Sequence, residues 1–133
     1  MATQLDQARD VLARANRIIA NEGVLDAFGH VSMRHPTDPG RYLLARSRAP
    51  ELVQPDDILE FTLDSQPVRS TDVRLYGERV IHGGIYQARP DVNAVCHHQC
   101  AVDSTFLHIR YGSQTRLSSR GDAWREGTIL GLP

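Results

Sequence analysis

Apolar residues in the first fifth of the chain recur at spacings of three and four. Leu5, Ala8, Val11, Leu12, Ala15, Ile18 and Ile19 fall on one side of a helix running from about residue 4 to residue 21. Gly23 stands just past its end, where a left-handed cap closes a helix. The period then changes to two. In FGHVSMRHP, Phe28, His30 and Ser32 alternate with Val31 and Met33, which predicts a short strand. HPTDPG reads as a turn and RYLLA as the return strand of a hairpin. RSRAPELVQPDD is a loop with room for one helical turn, and ILEFTLDSQPV is a further strand ending at Asp64. Helical spacing returns over 75–89, with Leu75, Val80, Ile81, Ile85 and Tyr86 sharing a face. Pro90 ends that helix and VNAVCHH starts another strand. The mixture predicts a layered α/β or α+β domain. Beyond residue 100 no period is sustained, so the last quarter is expected to be a loose tail or a domain ending that has been lost.

Composition narrows the function classes. A chain of 133 residues is one domain large enough to bury a core, and 41% hydrophobic with 23% charged residues fits a globular protein. Fifteen basic against sixteen acidic residues leave a net charge of −1, so neither nucleic acid nor an anionic membrane is expected as a partner. The start, MATQLDQARDVLARANRIIA, is too charged for a signal peptide, and no apolar run reaches membrane-spanning length. Two cysteines, Cys96 and Cys100, are too few for a disulfide framework, which makes the cytoplasm the expected compartment.

Several residues carry candidate chemistry. Glu78 and His82 lie four apart on the expected helix; the spacing suits a general base or metal ligand, and equally a solvated surface pair. His97 and His98 close a strand, where adjacent residues point to opposite faces. A metal pair from one strand is spaced His-x-His, and that spacing leads from His97 to Gln99, a poor ligand. Gly29 allows a close approach to the backbone beside His30 and Ser32, which suit an oxyanion; it also suits a simple turn into a strand. Arg46, Ser47 and Arg48 suit an anionic small-molecule substrate or a charged surface loop. Cys96 reads as a buried structural thiol.

Gly-His-Val-Ser at 29–32, Pro-Asp-Asp at 55–57, Glu78 with His82, and IYQARPDVNAVCHH together resemble the class II aldolase/adducin family. The likeness covers roughly residues 5 to 99. It implies a three-layer αβα domain with a central, mainly antiparallel sheet, here without its C-terminal half. It also implies a divalent metal ion, zinc or manganese, held by a His-x-His pair, a later histidine and a glutamate. Carried over, Glu78 is the glutamate and acid/base, His97 the first ligand and Gln99 the degraded second; the later histidine is not within the chain. Gly29, His30, Ser32, Ser47 and Arg48 would bind substrate. Tyr76-Gly77 and His30 replace the serine pair and asparagine with which sugar-phosphate members hold phosphate. The chain thus resembles the branch that decarboxylates hydroxylated aromatic or other hydroxy acids.

The resemblance also bears on the tail. Losing two nucleotides within a third histidine codon would turn His-His-His into His97-His98-Gln99 and shift everything after it out of frame. Residues 1–99 then form the family region and 100–133 an aberrant, poorly ordered tail. Three readings follow: a metal-dependent carbon–carbon lyase, a truncated fragment without activity, or an adducin-like binding module. A sugar-phosphate aldolase or epimerase is a variant of the first. Family members assemble as homo-tetramers, an assembly not expected to survive in this chain.

Overall fold

The structure is a computed structural model that describes residues 1–98. Gln99 and the segment 100–133, with the expectations attached to them, lie outside the described residues.

Helix α1 spans Gln4–Asn21 as the periodicity predicts. Thr3 caps its start, accepting from the Asp6 amide while Asp6 accepts from the Thr3 amide in return. Gly23 closes it with a φ of +69°, a conformation that costs a glycine nothing. Its buried face is Ala8, Leu12, Ala13 and Asn16, whereas Val11 and Ile18 stay exposed. Asn16 is a polar residue on that face, and its amide is matched there. Its Nδ2 donates to the Leu12 carbonyl, and its Oδ1 accepts the Val31 amide at 3.0 Å.

Strands β1 (His30–Arg34), β2 (Arg41–Ala45), β3 (Ile58–Thr62) and β4 (Ala94–His97) form one antiparallel sheet in the order β3-β2-β1-β4. The loop before β3 holds two short 3₁₀ turns, Pro50–Leu52 and Pro55–Asp57, where the sequence suggested one turn. Helix α2 spans Arg79–Ala88. It starts later than the spacing predicts, because Leu75 and Tyr76 are drawn away to the loop around Arg48. The Tyr76 phenol accepts the Arg48 amide and donates to the Arg48 carbonyl. The buried face of α2 is His82, Gly83 and Tyr86, and Val80 lies outside it.

Alternation along the sheet sorts the two helices. Ser32 bonds to His82 and Tyr86 on α2, and its neighbour Val31 bonds to Asn16 on α1. One helix therefore covers each face, giving three αβα layers. The core is Leu12, Leu43, Leu44, Val53, Ile58 and Phe61 with the tyrosines Tyr42 and Tyr86. Arg34 ties α2 to β4: it donates to the carbonyls of Val92, Tyr86 and Arg89, and its guanidinium lies 4.8 Å over the Tyr86 ring.

Candidate metal and substrate site

His30 and His97 are opposed residues on the neighbouring strands β1 and β4, so their rings share one face and stack 5.0 Å apart. Glu78 is the residue that enters α2, and the turn Gly77–Glu78 carries its carboxylate over the same face. One ligand atom each from His30, Glu78 and His97 lie within 4.8 Å of one another. Glu78 Oε2 is 3.7 Å from His30 Nε2. His98 is exposed, outside the strand and away from this cluster.

The donor set can be tested against a metal by asking what each nitrogen already does. His97 Nε2 and His30 Nε2 are both buried and without a hydrogen-bond partner among the described residues. Buried polar atoms are nearly always paired, so two orphans beside a carboxylate mark a place built for something else to bind. A divalent ion fits the Glu78 and His97 donors on this ground.

The reading of Glu78 and His82 as a solvated surface pair is overturned. His82 is fully buried, and it meets Ser32 and His30 rather than Glu78. Helix α2 begins only after Glu78, so the two side chains leave from different local structures. Burial, reinforced by the nearby His30 and His97 rings, lowers the His82 pKa to about 3. Burial and His97 lower that of His30 to about 4, against the opposing pull of Glu78. Cys96 is corrected too: it is exposed on β4, not a core thiol.

Beside the cluster lies a cleft of about 450 Å³ lined by Phe28, Ser47, Arg48, Arg74, Tyr76 and Glu78 among others. Ser47 and Arg48 thus share a cleft with Glu78. Arg48 is not free, however: with Arg46 it holds the Asp57 carboxylate, at 3.1 Å and 2.6 Å. Burial pushes the Asp57 carboxyl up, and hydrogen bonds from Arg46, the Gln54 amide and Arg48 outweigh it, leaving the pKa below the usual value. Gly29 has a packing reason for being glycine: a Cβ there would sit 2.8 Å from Leu25 Cδ2 and 3.3 Å from the His97 carbonyl. Ser32 is buried under His30, bonded within the protein.

The sequence reading missed Tyr76 and Tyr86. The Tyr76 ring lies 4.1 Å from that of His30 and braces it, while its phenol fixes the Arg48 loop. A signal was present: His30 and Ser32 share a strand face, and His82 and Tyr86 share a helix face.

Residues 10–110 match the model of the class II aldolase and adducin N-terminal domain. The chain belongs to this family. The match runs past residue 99, the boundary expected from the sequence. Among curated relatives, the decarboxylase tropJ of Talaromyces stipitatus is 39% identical over 60% of the chain and 31% of its own length. The 3,4-dihydroxyphthalate decarboxylase of Arthrobacter keyseri is 31% identical over 68% of the chain and 39% of its length. An aldolase II superfamily protein from Pseudomonas syringae superposes with a TM-score of 0.67 at 27% identity, covering 76% of the chain and 42% of that protein. For the L-fuculose 1-phosphate aldolase of Glaciozyma antarctica the values are 0.64, 26%, 74% and 43%. The chain therefore spans less than half the length of each of these four proteins. Among the described residues no helix is long and apolar enough to cross a membrane.

Proposed function

We propose that this site is part of a metal-dependent carbon–carbon lyase that decarboxylates a hydroxylated aromatic carboxylic acid. The observation that carries the reading is the meeting of Glu78 and His97, from separate elements, within reach of one ion. Zinc or manganese suits a carboxylate and an imidazole; Glu78 and His97 would hold it, with position 99 as the degraded second histidine position. Such an ion, when bound, polarises the substrate's hydroxyl or carbonyl oxygen and stabilises the enolate or phenolate left when the bond to carbon dioxide breaks. Glu78 returns a proton to the carbon that loses its carboxylate. Arg48 and Ser47 orient the anionic substrate from the far wall of the cleft, and Arg48 is held in place by Asp57. Gly29 keeps the backbone of β1 close to β4, and His30 completes the substrate side, with Ser32 buried behind it.

The two relatives whose names include "decarboxylase" support this choice of reaction. A sugar-phosphate aldolase or epimerase is the second reading, favoured by the likeness to L-fuculose 1-phosphate aldolase. Tyr76-Gly77 in place of a serine pair weighs against it. The whole protein is read as a cytoplasmic homo-tetramer; this chain alone, with Gln99 at the second ligand position, is read as an impaired fragment. Residues 1–99 are its family region and 100–133 an out-of-frame tail, and gene codons incompatible with a two-nucleotide loss end that part of the proposal.

The test is equilibrium dialysis of zinc and manganese against the 133-residue chain and its Gln99→His variant, followed by assay for carbon dioxide release from 3,4-dihydroxyphthalate. The expected result is weak binding by the chain, binding about ten- to a hundredfold tighter in the variant, and no turnover by the chain as it stands. Absence of metal from both proteins contradicts the reading. Cleavage of L-fuculose 1-phosphate instead of decarboxylation decides for the second one.

A further inference from the structure

We propose that His30 is the site's neutral hydrogen-bond donor to an anionic substrate oxygen, and that Tyr86, Ser32 and His82 hold its proton on Nε2. The inference rests on the reading above that the site takes an anionic substrate, and it assigns His30 a place beside the metal rather than on it.

Four side chains from β1 and α2 form one continuous buried chain. The Tyr86 phenol is 2.8 Å from Ser32 Oγ, which is 2.6 Å from His82 Nδ1; His82 Nε2 is 2.9 Å from His30 Nδ1. None of the four residues is more than 1% exposed. Each link needs one donor and one acceptor, so the placement of one proton dictates the next. The direction follows from the phenol. Burial pushes the Tyr86 pKa up to about 12, so the phenol keeps its proton. The side-chain acceptor within reach of that proton is Ser32 Oγ.

Ser32 Oγ could accept from Tyr86 and His82 alike, but its own proton would then lack a partner among the described residues, so that proton goes to His82 Nδ1. A neutral imidazole that accepts at Nδ1 carries its own proton on Nε2. That proton is donated to His30 Nδ1, which leaves the His30 proton on Nε2, on the side of Glu78. Running the chain the other way strands the phenol proton without an acceptor among the described residues, at the cost of a full desolvation penalty. The His30 Nε2 atom is itself buried and without a partner among the described residues, and Glu78 at 3.7 Å is too far to accept from it.

A nitrogen that bears a proton has no lone pair for a metal. His30 therefore stays off the ion although its nitrogen lies within 4.8 Å of the Glu78 and His97 ligand atoms. What it can take is an oxygen bearing negative charge: the substrate carboxylate, or the enolate or phenolate oxygen that develops during cleavage. Because His30 is neutral, its donation neither repels the ion nor adds a proton to the substrate. Tyr86, Ser32 and His82 are positioning residues, acting on substrate only through His30.

The experiment is ring ¹⁵N–¹H correlation NMR on the 133-residue chain at neutral pH, before and after zinc chloride is added, and on the Tyr86→Phe variant. The expected result is an excess of about tenfold or more of the Nε2–H tautomer at both His30 and His82, since the alternative leaves a buried donor unmade. Tyr86→Phe should release the lock, and the Nδ1–H form of His30 should become visible. Zinc should shift His97 and leave the Nε2 proton of His30 in place. A wild-type His30 protonated on Nδ1 overturns the inference, whether or not the variant folds; so does loss of its Nε2 proton on zinc binding, or a folded Tyr86→Phe with unchanged tautomers. If zinc disturbs neither histidine while the Nε2–H tautomer is present, the metal reading fails and this one stands.

Discussion

The buried histidines give the molecule a pH signature. His30 and His82 have pKa values of about 4 and about 3 in the folded chain, below the ordinary 6.5. Between those values the unfolded chain binds more protons at these two rings than the folded one, so their contribution to stability falls as pH drops through 6.5 and is spent below 3. The slope is on the order of 1 kcal/mol per pH unit for each histidine within its window. Urea denaturation of chelator-treated protein between pH 7 and pH 4 should show the loss, and His82→Gln should flatten part of it. A pH-independent midpoint over that range would mean that these rings are solvated. The role of His82 was half legible in the sequence. Its spacing from Glu78 marked it, but that spacing holds only inside a helix, and the Tyr76 tether to the Arg48 loop delays the helix past Glu78.

Helix α2 carries two adjacent glycines with opposite expected responses. A Cβ on Gly83 would run into the Leu63 carbonyl and Ser65 Oγ, whereas one on Gly84 meets nothing within 4 Å. Gly83→Ala should cost about 1–3 kcal/mol by overpacking against backbone that cannot move aside. Gly84→Ala should stabilise by about 0.5–1 kcal/mol, through helix propensity alone. Denaturant midpoints of the two variants check both, and equal shifts would place α2 wrongly on the sheet. Turn residues marked the hairpin of β1 and β2, although both faces of those strands are buried, and periodicity found α1, which has one face in the core and one in water. It placed Val80 on the wrong side of α2, since the face that is buried carries His82, Gly83 and Tyr86, a set with one large apolar side chain. Hydrophobic pattern is blind to a face whose business is polar.

At the scale of the molecule, β4 is an edge strand among the described residues, and it exposes Ala94 and Cys96. Phe28, Val11 and Ile18 are exposed elsewhere on the same unit. A strand edge unpaired among the described residues, together with exposed apolar side chains, invites association without a fixed stoichiometry. Light scattering should therefore give a mass that climbs with protein concentration; a constant tetramer mass would contradict this. The αβα architecture was legible because the IYQARPDVNAVCHH segment resembles its family closely. The completeness of the site was not, because Gln99 lies outside the described residues.

Calorimetric titration of zinc into this chain, Glu78→Gln and His97→Ala asks most directly whether the two side chains share an ion. One ion per chain is predicted, with affinity weakened about tenfold or more in either variant. Zinc binding that both substitutions leave unchanged would show that the carboxylate and the imidazole do not serve a common ion.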